Sequence, residues 1–196
     1  TFLYQIYEPP LQYHYLKRPF ELSLATARTM PVLRQFDRHG RILPPGSDPS
    51  LVERSEYEIS IRPGVLFQPH PAFALGPTGM PLYLDLPPKV LSGKRSIADF
   101  PVTGTRELTA EDFVYQIKRL AHPRLHSPVL ELMGDYIVGL KELNARLVED
   151  EGARSDKKAW IDLRKYPLSG VQLVDRYTYR VFVKGAYPQF PYWLAM

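Results

Sequence analysis

The pattern of apolar and polar positions predicts one well-bounded amphipathic helix near the middle of the chain. Apolar side chains recur at helical spacing in the run from Thr109 to Ala121, at Phe113, Ile117, Leu120 and Ala121. Thr109 and Asp112 stand three residues apart, which is the spacing of a capping box, so Thr109 is predicted to cap the helix. Pro123 is then expected to end it.

A second helical pattern follows directly. Ser127 is a candidate N-cap and Pro128 occupies the first helical position, where proline is favoured. The apolar face of this helix comprises Val129, Leu132, Met133, Tyr136, Ile137, Leu140 and Leu143. Gly139 predicts a break in the helix, because glycine is a weak helix former. The charged run 149–158 is interpreted as a loop.

Strand patterns occur on both sides of these helices. Tyr57, Ile59 and Ile61 alternate with polar residues and predict a half-buried strand that ends at the turn Pro63–Gly64. Val171–Val174 and Tyr177–Lys184 predict an antiparallel hairpin. Asp37–Gly40 predicts a turn.

The remaining segments carry weaker signals. Residues 1–12 are interpreted as the end of a helix closed by Pro9 and Pro10, and 13–36 as loops and short irregular segments. Residues 188–196 are interpreted as the start of a further helix. The stretch 68–103 holds seven prolines and is expected to be an insertion. The predicted fold class is therefore α+β, with short mixed or antiparallel strands, two main helices and long proline-rich loops.

Composition narrows the function classes. The 196 residues include no cysteine, so the chain has no disulfide framework and no thiolate nucleophile or metal ligand. The net charge is +4, and the basic residues are scattered among acidic ones, which favours a solvated surface over a nucleic-acid footprint. Sequence motifs of nucleotide-binding loops and hydrolase active sites are missing. We expect no enzyme activity and no cofactor.

Two pairs of residues invite a chemical interpretation. His122 and His126 are four residues apart, but Pro123 excludes a regular helix there and no third ligand is evident, so no metal site is predicted. Glu111 and Asp112 are adjacent, and adjacent side chains on a helix point apart, so capping explains them better than catalysis. The 13 tyrosines and two tryptophans are interpreted mainly as the outer layer of a core, with a ligand cleft as the alternative.

Four ordered stretches together resemble the family 5 extracellular solute-binding proteins, the oligopeptide, dipeptide and nickel receptors of ABC importers. The central one, from Gly104 to Pro123, resembles the signature region of that family. The other three are Ile6-Tyr7-Glu8-Pro9-Pro10-Leu11, Ile61-Arg62-Pro63-Gly64-Val65-Leu66-Phe67, and Gly170 through Val181. The matches touch nearly the whole chain and keep the order of the family.

The resemblance implies a two-lobed receptor without covalent chemistry. It assigns 1–36 to a large lobe, 37–168 to a small domain with an insertion at about 68–103, and 169–196 to a hairpin returning toward the large lobe. The chain is then expected to be the N-terminal part of a periplasmic protein whose signal peptide lies outside it. The implied ligand is an extended oligopeptide, and the implied partners are an inner-membrane permease and the C-terminal lobe of the same protein.

The resemblance also suggests ligand-binding residues. Peptide receptors of the family place a cleft-facing aromatic directly after a Ser-Pro that follows the central helix. Ser127 and Pro128 match here, but the next residue is Val129, which would make a smaller contact. The acidic residue that holds the peptide amino terminus lies in the second lobe, beyond Met196. Most of the site is therefore expected outside these residues.

Two alternatives stay open. The first is a basic nucleic-acid-binding module whose strands near Tyr57 and Tyr177 present aromatic side chains to bases. The second keeps the fold but changes the ligand to nickel, heme or sugar, or delivers the ligand to a sensor instead of an importer.

Overall fold

The structure of this chain is a computed structural model, and it describes residues 8–156 and 160–196. The strands are β1 Leu11–Tyr13, β2 Leu22–Leu24, β3 Val32–Phe36, β4 Arg54–Ser60, β5 Val171–Asp175 and β6 Thr178–Lys184. The helices are α1 Pro88–Leu91, α2 Ala110–Leu120, α3 Leu130–Tyr136, α4 Leu140–Ala153 and α5 Phe190–Trp193. The expected α+β class is therefore confirmed. Of the helix end expected in 1–12, residues 1–7 lie outside the described residues, whereas 8–10 are not helical and Leu11 and Gln12 belong to β1.

The chain divides into two compact units. One contains the residues up to Arg62 together with Thr109–Met196, and the other contains Pro63–Leu108. The first unit holds a four-stranded sheet of order β3-β4-β6-β5, in which every neighbouring pair is antiparallel. This sheet takes β3 from the predicted segment 1–36, β4 from 37–168, and β5 and β6 from 169–196. The assignment of these segments to lobes of a larger receptor remains a prediction.

The predicted hairpin is confirmed. β5 and β6 pair antiparallel, with Val171 opposite Val181 and Leu173 opposite Tyr179. The Asp175 carboxylate accepts a 2.8 Å hydrogen bond from the backbone N–H of Tyr177, which closes the turn. The predicted strand around Tyr57 joins the same sheet, because β4 pairs with β6 along its whole length.

The core of the first unit lies between this sheet and α2. The buried apolar side chains of β4 and β6 occupy alternate positions, as strand geometry requires, and comprise Tyr57, Ile59, Tyr179, Val181 and Val183. The ring of Phe113 on α2 stacks on the ring of Tyr179, with centroids 5.7 Å apart and planes 8° from parallel. Ala110, Val114 and Ala121 complete the buried face of the helix.

Helix α2 begins and ends where the sequence predicts. Thr109 and Asp112 form a capping box with both halves in place. The backbone N–H of Thr109 donates to the Asp112 carboxylate at 2.9 Å, and the Thr109 side chain faces the N–H of Asp112. Ala121 ends the helix, ahead of a turn at Pro123–Leu125.

The second helical pattern forms two helices, and the predicted break at Gly139 is confirmed. Gly139 adopts φ 78° and precedes α4, in the left-handed region that glycine tolerates best. The predicted cap at Ser127 is wrong. Helix α3 begins at Leu130, because the chain first makes a tight turn in which the Leu130 N–H donates to the Ser127 carbonyl at 3.3 Å.

The loop predicted for 149–158 is wrong as far as Ala153, where α4 ends. Leu143 and Leu147 are buried on one side of this helix and hold it against the rest of the unit. Glu151 on this helix forms a partly buried ion pair with Arg124. Lys157 and Lys158 lie outside the described residues.

The irregular structure expected for 13–36 is also partly wrong. β1 and β2 form a separate two-stranded antiparallel sheet, and β3 pairs with β4. Leu11 at the start of β1 is fully buried. The sequence of β3 lacks a clean alternation, and its pairing with β4 is a tertiary contact. The predicted turn after β3 is confirmed, with Gly40 at φ 75°.

Isolated antiparallel bridges connect the two ends of the second unit. Leu66 pairs with Glu107, and His70 pairs with Gly104. Gly104 is required here, because a Cβ atom at this position would lie 2.1 Å from the Phe73 carbonyl oxygen. The proline-rich stretch 68–103 lies within this unit, where α1 and short 3-10 turns are its helical elements among the described residues.

We predict that Thr109→Ala destabilises the protein by about 1 kcal/mol, the usual size for a lost N-cap. Chemical unfolding followed by circular dichroism measures this change. Thr103→Ala, at an exposed threonine, is the control and should leave stability unchanged. Equal unfolding midpoints for the two variants would show that the capping box contributes nothing.

Candidate functional site

The two residues suggested as ligand contacts lie at the start of α3. Val129 is 37% exposed, and its carbonyl accepts the N–H of Met133 at 2.9 Å, which begins the helical hydrogen bonding. Leu132, one turn further on, is also exposed. Among the described residues the Ser127 hydroxyl has no hydrogen-bond partner. These two positions are thus accessible, and they offer an apolar contact with one polar group beside it.

The two histidines have separate surroundings. His122 is buried, and its Nδ1 accepts the backbone N–H of Arg124 at 3.2 Å. Burial lowers the pKa of His122 and favours the neutral ring. His126 is exposed and adopts φ 45°, so the two rings do not share a helix face. Within 8–156 and 160–196, no group of three or more histidine, aspartate or glutamate side chains is arranged to hold a metal ion.

A groove of about 320 Å³ lies between α2 and the outer side of β5, and we call it the α2–β5 groove. Its apolar surface comes from Val114, Tyr115, Pro167, Leu168, Val171 and Leu173, and its polar surface from Glu111, Lys118, Arg164 and Gln172. The sequence showed no sign of this groove, because its walls come from three segments of the chain.

The two cations of the α2–β5 groove differ in their partners, because Arg164 has a carboxylate partner and Lys118 has a carbonyl partner. Arg164 donates to both oxygens of the Asp162 carboxylate, at 2.8 and 3.1 Å. The Lys118 ammonium donates to the Leu163 carbonyl at 3.3 Å. No carboxylate in the described part of the chain lies within ion-pair distance of it. Partial burial lowers the pKa of Lys118, and the charges of Asp162 and Glu111 partly offset that shift. An anion in direct contact would add the ion pair that neither of these carboxylates makes.

A second groove, of about 420 Å³, lies beside the start of α4 and shares Pro167 and Leu168 with the first. Gly170 lets the chain pass closely here, because a Cβ atom at this position would lie 2.0 Å from the Val138 carbonyl oxygen. Neither groove includes Ser127 or Val129.

The face of the sheet opposite α2 carries an ionic network across three strands. Arg34 on β3 donates to Glu56 at 2.6 Å and to Glu58 at 3.2 Å, and Arg180 on β6 donates to Glu58 at 2.8 Å. Glu56 is buried, although it is charged. The hydrogen bond from Arg180, followed by that from Arg34, holds the pKa of Glu58 below its usual range.

Several aromatic side chains form a cluster in the first unit. The sequence had suggested that such side chains form the outer layer of a core, with a ligand cleft as the alternative. The Tyr57 hydroxyl donates to the Tyr187 carbonyl at 2.8 Å, and burial raises the pKa of Tyr57 to about 12. Phe190 contacts Tyr57 with ring centroids 4.7 Å apart, and both side chains are buried. This part of the cluster belongs to the core. Tyr136 and Trp193 are half-buried at its rim.

Comparison with models of known protein families and with curated proteins found no match for this chain. No helix in the described part of the chain has the length and apolar character needed to cross a membrane.

We predict that the ionic network makes stability depend on pH. The pKa of Glu58 is lowered in the folded protein, so its contribution is complete above the unfolded value of about 4.3 and is lost as the pH falls through the folded value. Glu58→Gln should cost about 1 kcal/mol at pH 7, since the pair is partly exposed, and should flatten the loss of stability in acid.

Urea unfolding at pH 7 and at acidic pH measures both effects. Glu53→Gln, at an exposed carboxylate directly before β4, is the matched control and should leave the pH profile unchanged. If the two variants gave the same profile, the network would have no role in the acid sensitivity.

Proposed function

We propose that this chain is part of the substrate-binding component of an ABC importer, which binds extended oligopeptides in the periplasm and delivers them to an inner-membrane permease. The observation that carries the proposal is the order of the four stretches that resemble family 5 solute-binding proteins. Four stretches in one order are far more specific than any of them alone.

Three of the four stretches fall on a suitable local structure. The central stretch includes the capped helix α2, and the last one is the β5–β6 hairpin. The stretch 61–67 follows directly after β4 and contains Gly64 at φ 79°, which is a glycine-specific turn. The first stretch gives no such support, because its described residues, 8–11, are irregular up to the buried Leu11, which begins β1.

The work that a peptide receptor must do is binding, and no bond is made or broken. A peptide leaves water only if donors and acceptors replace its backbone hydration, and closure of two lobes supplies them from both sides. Ser127 and Val129 are proposed as contacts on the side that this chain provides. Val129 offers less contact area than an aromatic side chain, so the other lobe would supply most of the affinity.

The nucleic-acid alternative has less support. It requires Tyr57 and Tyr177 to present their rings to bases. Tyr57 is buried with its hydroxyl hydrogen-bonded, which leaves the half-buried Tyr177 to serve this role. Permease and ATPase genes beside the gene for this protein would favour an importer over a sensor.

Calorimetry with a mixed library of tripeptides to pentapeptides tests the proposal. The natural-length protein is expected to bind peptides with micromolar affinity, whereas residues 1–196 alone should bind them no tighter than millimolar, because one cleft surface leaves half of the ligand in water. Absence of peptide binding by the natural-length protein would refute the proposal. Micromolar binding by residues 1–196 alone would mean either that the whole site lies within these residues or that the family assignment is wrong.

We predict that Val129→Ser in the natural-length protein weakens peptide binding about fivefold. The reason is the lost burial of an apolar side chain, which contributes about 1 kcal/mol when the contact is partial. Leu125→Ser, at a nearby exposed leucine, is the control and should bind peptide normally. Equal affinities for the two variants would remove Val129 from the site.

A further inference from the structure

β5 is an edge strand, and the hydrogen bonds of its neighbour show which of its backbone groups point outward. The N–H of Phe182 donates to the Gly170 carbonyl at 2.8 Å, on the β5 side of β6. Hydrogen-bonded positions alternate along an antiparallel pair. Gln172 therefore bonds to β6, whereas Val171 and Leu173 direct their backbone groups away from the sheet.

Most of these outward groups are unsatisfied. The Val171 N–H donates to the Leu168 carbonyl at 3.2 Å. The Val171 carbonyl and both backbone groups of Leu173 have no partner among residues 8–156 and 160–196. Leu173 and Val174 are also exposed, at 46% and 43%. An edge of this kind is a template for another strand.

The opposite edge of the sheet, formed by β3, is partly covered. The chain returns after β3, so that the N–H of Leu43 donates to the Gln35 carbonyl at 2.8 Å and Ile42 pairs with Phe36. The β3 edge is thus partly covered by its own chain. Within the described residues, the chain covers the β5 edge at Val171, where the Leu168 carbonyl accepts the N–H, and leaves Leu173 without such cover.

The α2–β5 groove runs beside this edge and includes Leu173, whose backbone groups are uncovered. A strand added to β5 would lie 4.7–4.9 Å from it, with alternate side chains on one face. The partner residue that exchanges hydrogen bonds with Leu173 would direct its side chain to the same face as Leu173, toward Val114 and Leu168. The side chain two positions away would share that face and lie in the same groove as Lys118.

We propose that the β5 edge binds an extended segment of another protein, which adds a fifth strand to the sheet. The segment carries an apolar side chain opposite Leu173 and an acidic side chain two positions away, which pairs with Lys118. An extended backbone is the partner that complements outward N–H and C=O groups, and the acidic residue complements the partly buried ammonium. The register shift between Leu173 and Asp175 limits pairing to a short stretch. This inference is independent of the proposed peptide cleft.

The test uses the blocked peptide acetyl-Ser-Val-Thr-Glu-Thr-amide and amide NMR shifts of the full chain. We expect saturable shifts confined to 171–174 and to α2. The same peptide with N-methylated valine loses the hydrogen bond to the Leu173 carbonyl and should bind up to about tenfold more weakly. Replacing glutamate by lysine in the peptide, or Lys118→Met in the protein, should weaken binding by about twofold to fivefold.

Leu173→Pro tests the edge from the protein side. Proline is tolerated on an edge strand where the N–H faces outward, so the pairing with β6 should persist, as judged by thermal unfolding and amide protection of Tyr179. Binding should be abolished in this variant, whereas Leu173→Ala, which keeps the N–H, should retain most of it. If Leu173→Pro fails to fold, the N-methylated peptide decides the question on the unaltered protein.

Two results would overturn the proposal. Equal binding of the plain and N-methylated peptides would show that backbone pairing is absent. A concentration-dependent dimer that Leu173→Pro abolishes, without any response to the peptide, would show that a second copy of the chain occupies the edge. Val129→Ser affects only the proposed cleft, so failure of one proposal is distinguishable from failure of the other.

Discussion

The first unit depends on the contact between α2 and the apolar face of the sheet. Phe113 stacks on Tyr179 at the centre of this contact, and both side chains are buried. Two buried aromatic side chains contribute several kcal/mol through removal of their surface from water. The capping box matters because it fixes where α2 begins, and so which residues face the strands. The α2–β5 groove follows from the same contact, since α2 lies over β6 and extends along β5.

Different interactions stabilise the two faces of the sheet. The face toward α2 is held by apolar burial, which is non-directional, whereas the opposite face is held by charged hydrogen bonds across β3, β4 and β6. Arg34 and Arg180 are partly exposed, so the pairs add little net stability. Glu56 is buried and pairs with the partly exposed Arg34, and a slip of register would leave that buried carboxylate unpaired. We infer that the network contributes more to strand register than to stability.

The two proposed binding regions differ in how they would recognise a peptide. Ser127 is half-buried and Val129 is exposed just before α3, so affinity there requires a second surface. The β5 edge offers fixed backbone groups, with a groove and a cation beside them. Backbone pairing sets the direction of the bound chain, and the groove selects side chains.

Local features of this protein follow from its sequence alone. The cap at Thr109, the break at Gly139 and the β5–β6 hairpin depend on residues close together in the chain, so spacing and residue type determined them. The Ser127 cap was wrong because a competing tight turn shifted the start of α3. Tertiary structure alone decided the pairing of β3, the extension of α4, the burial of Glu56 and the grooves. Each of these requires contacts between distant segments, whose energies have no counterpart in local sequence periodicity.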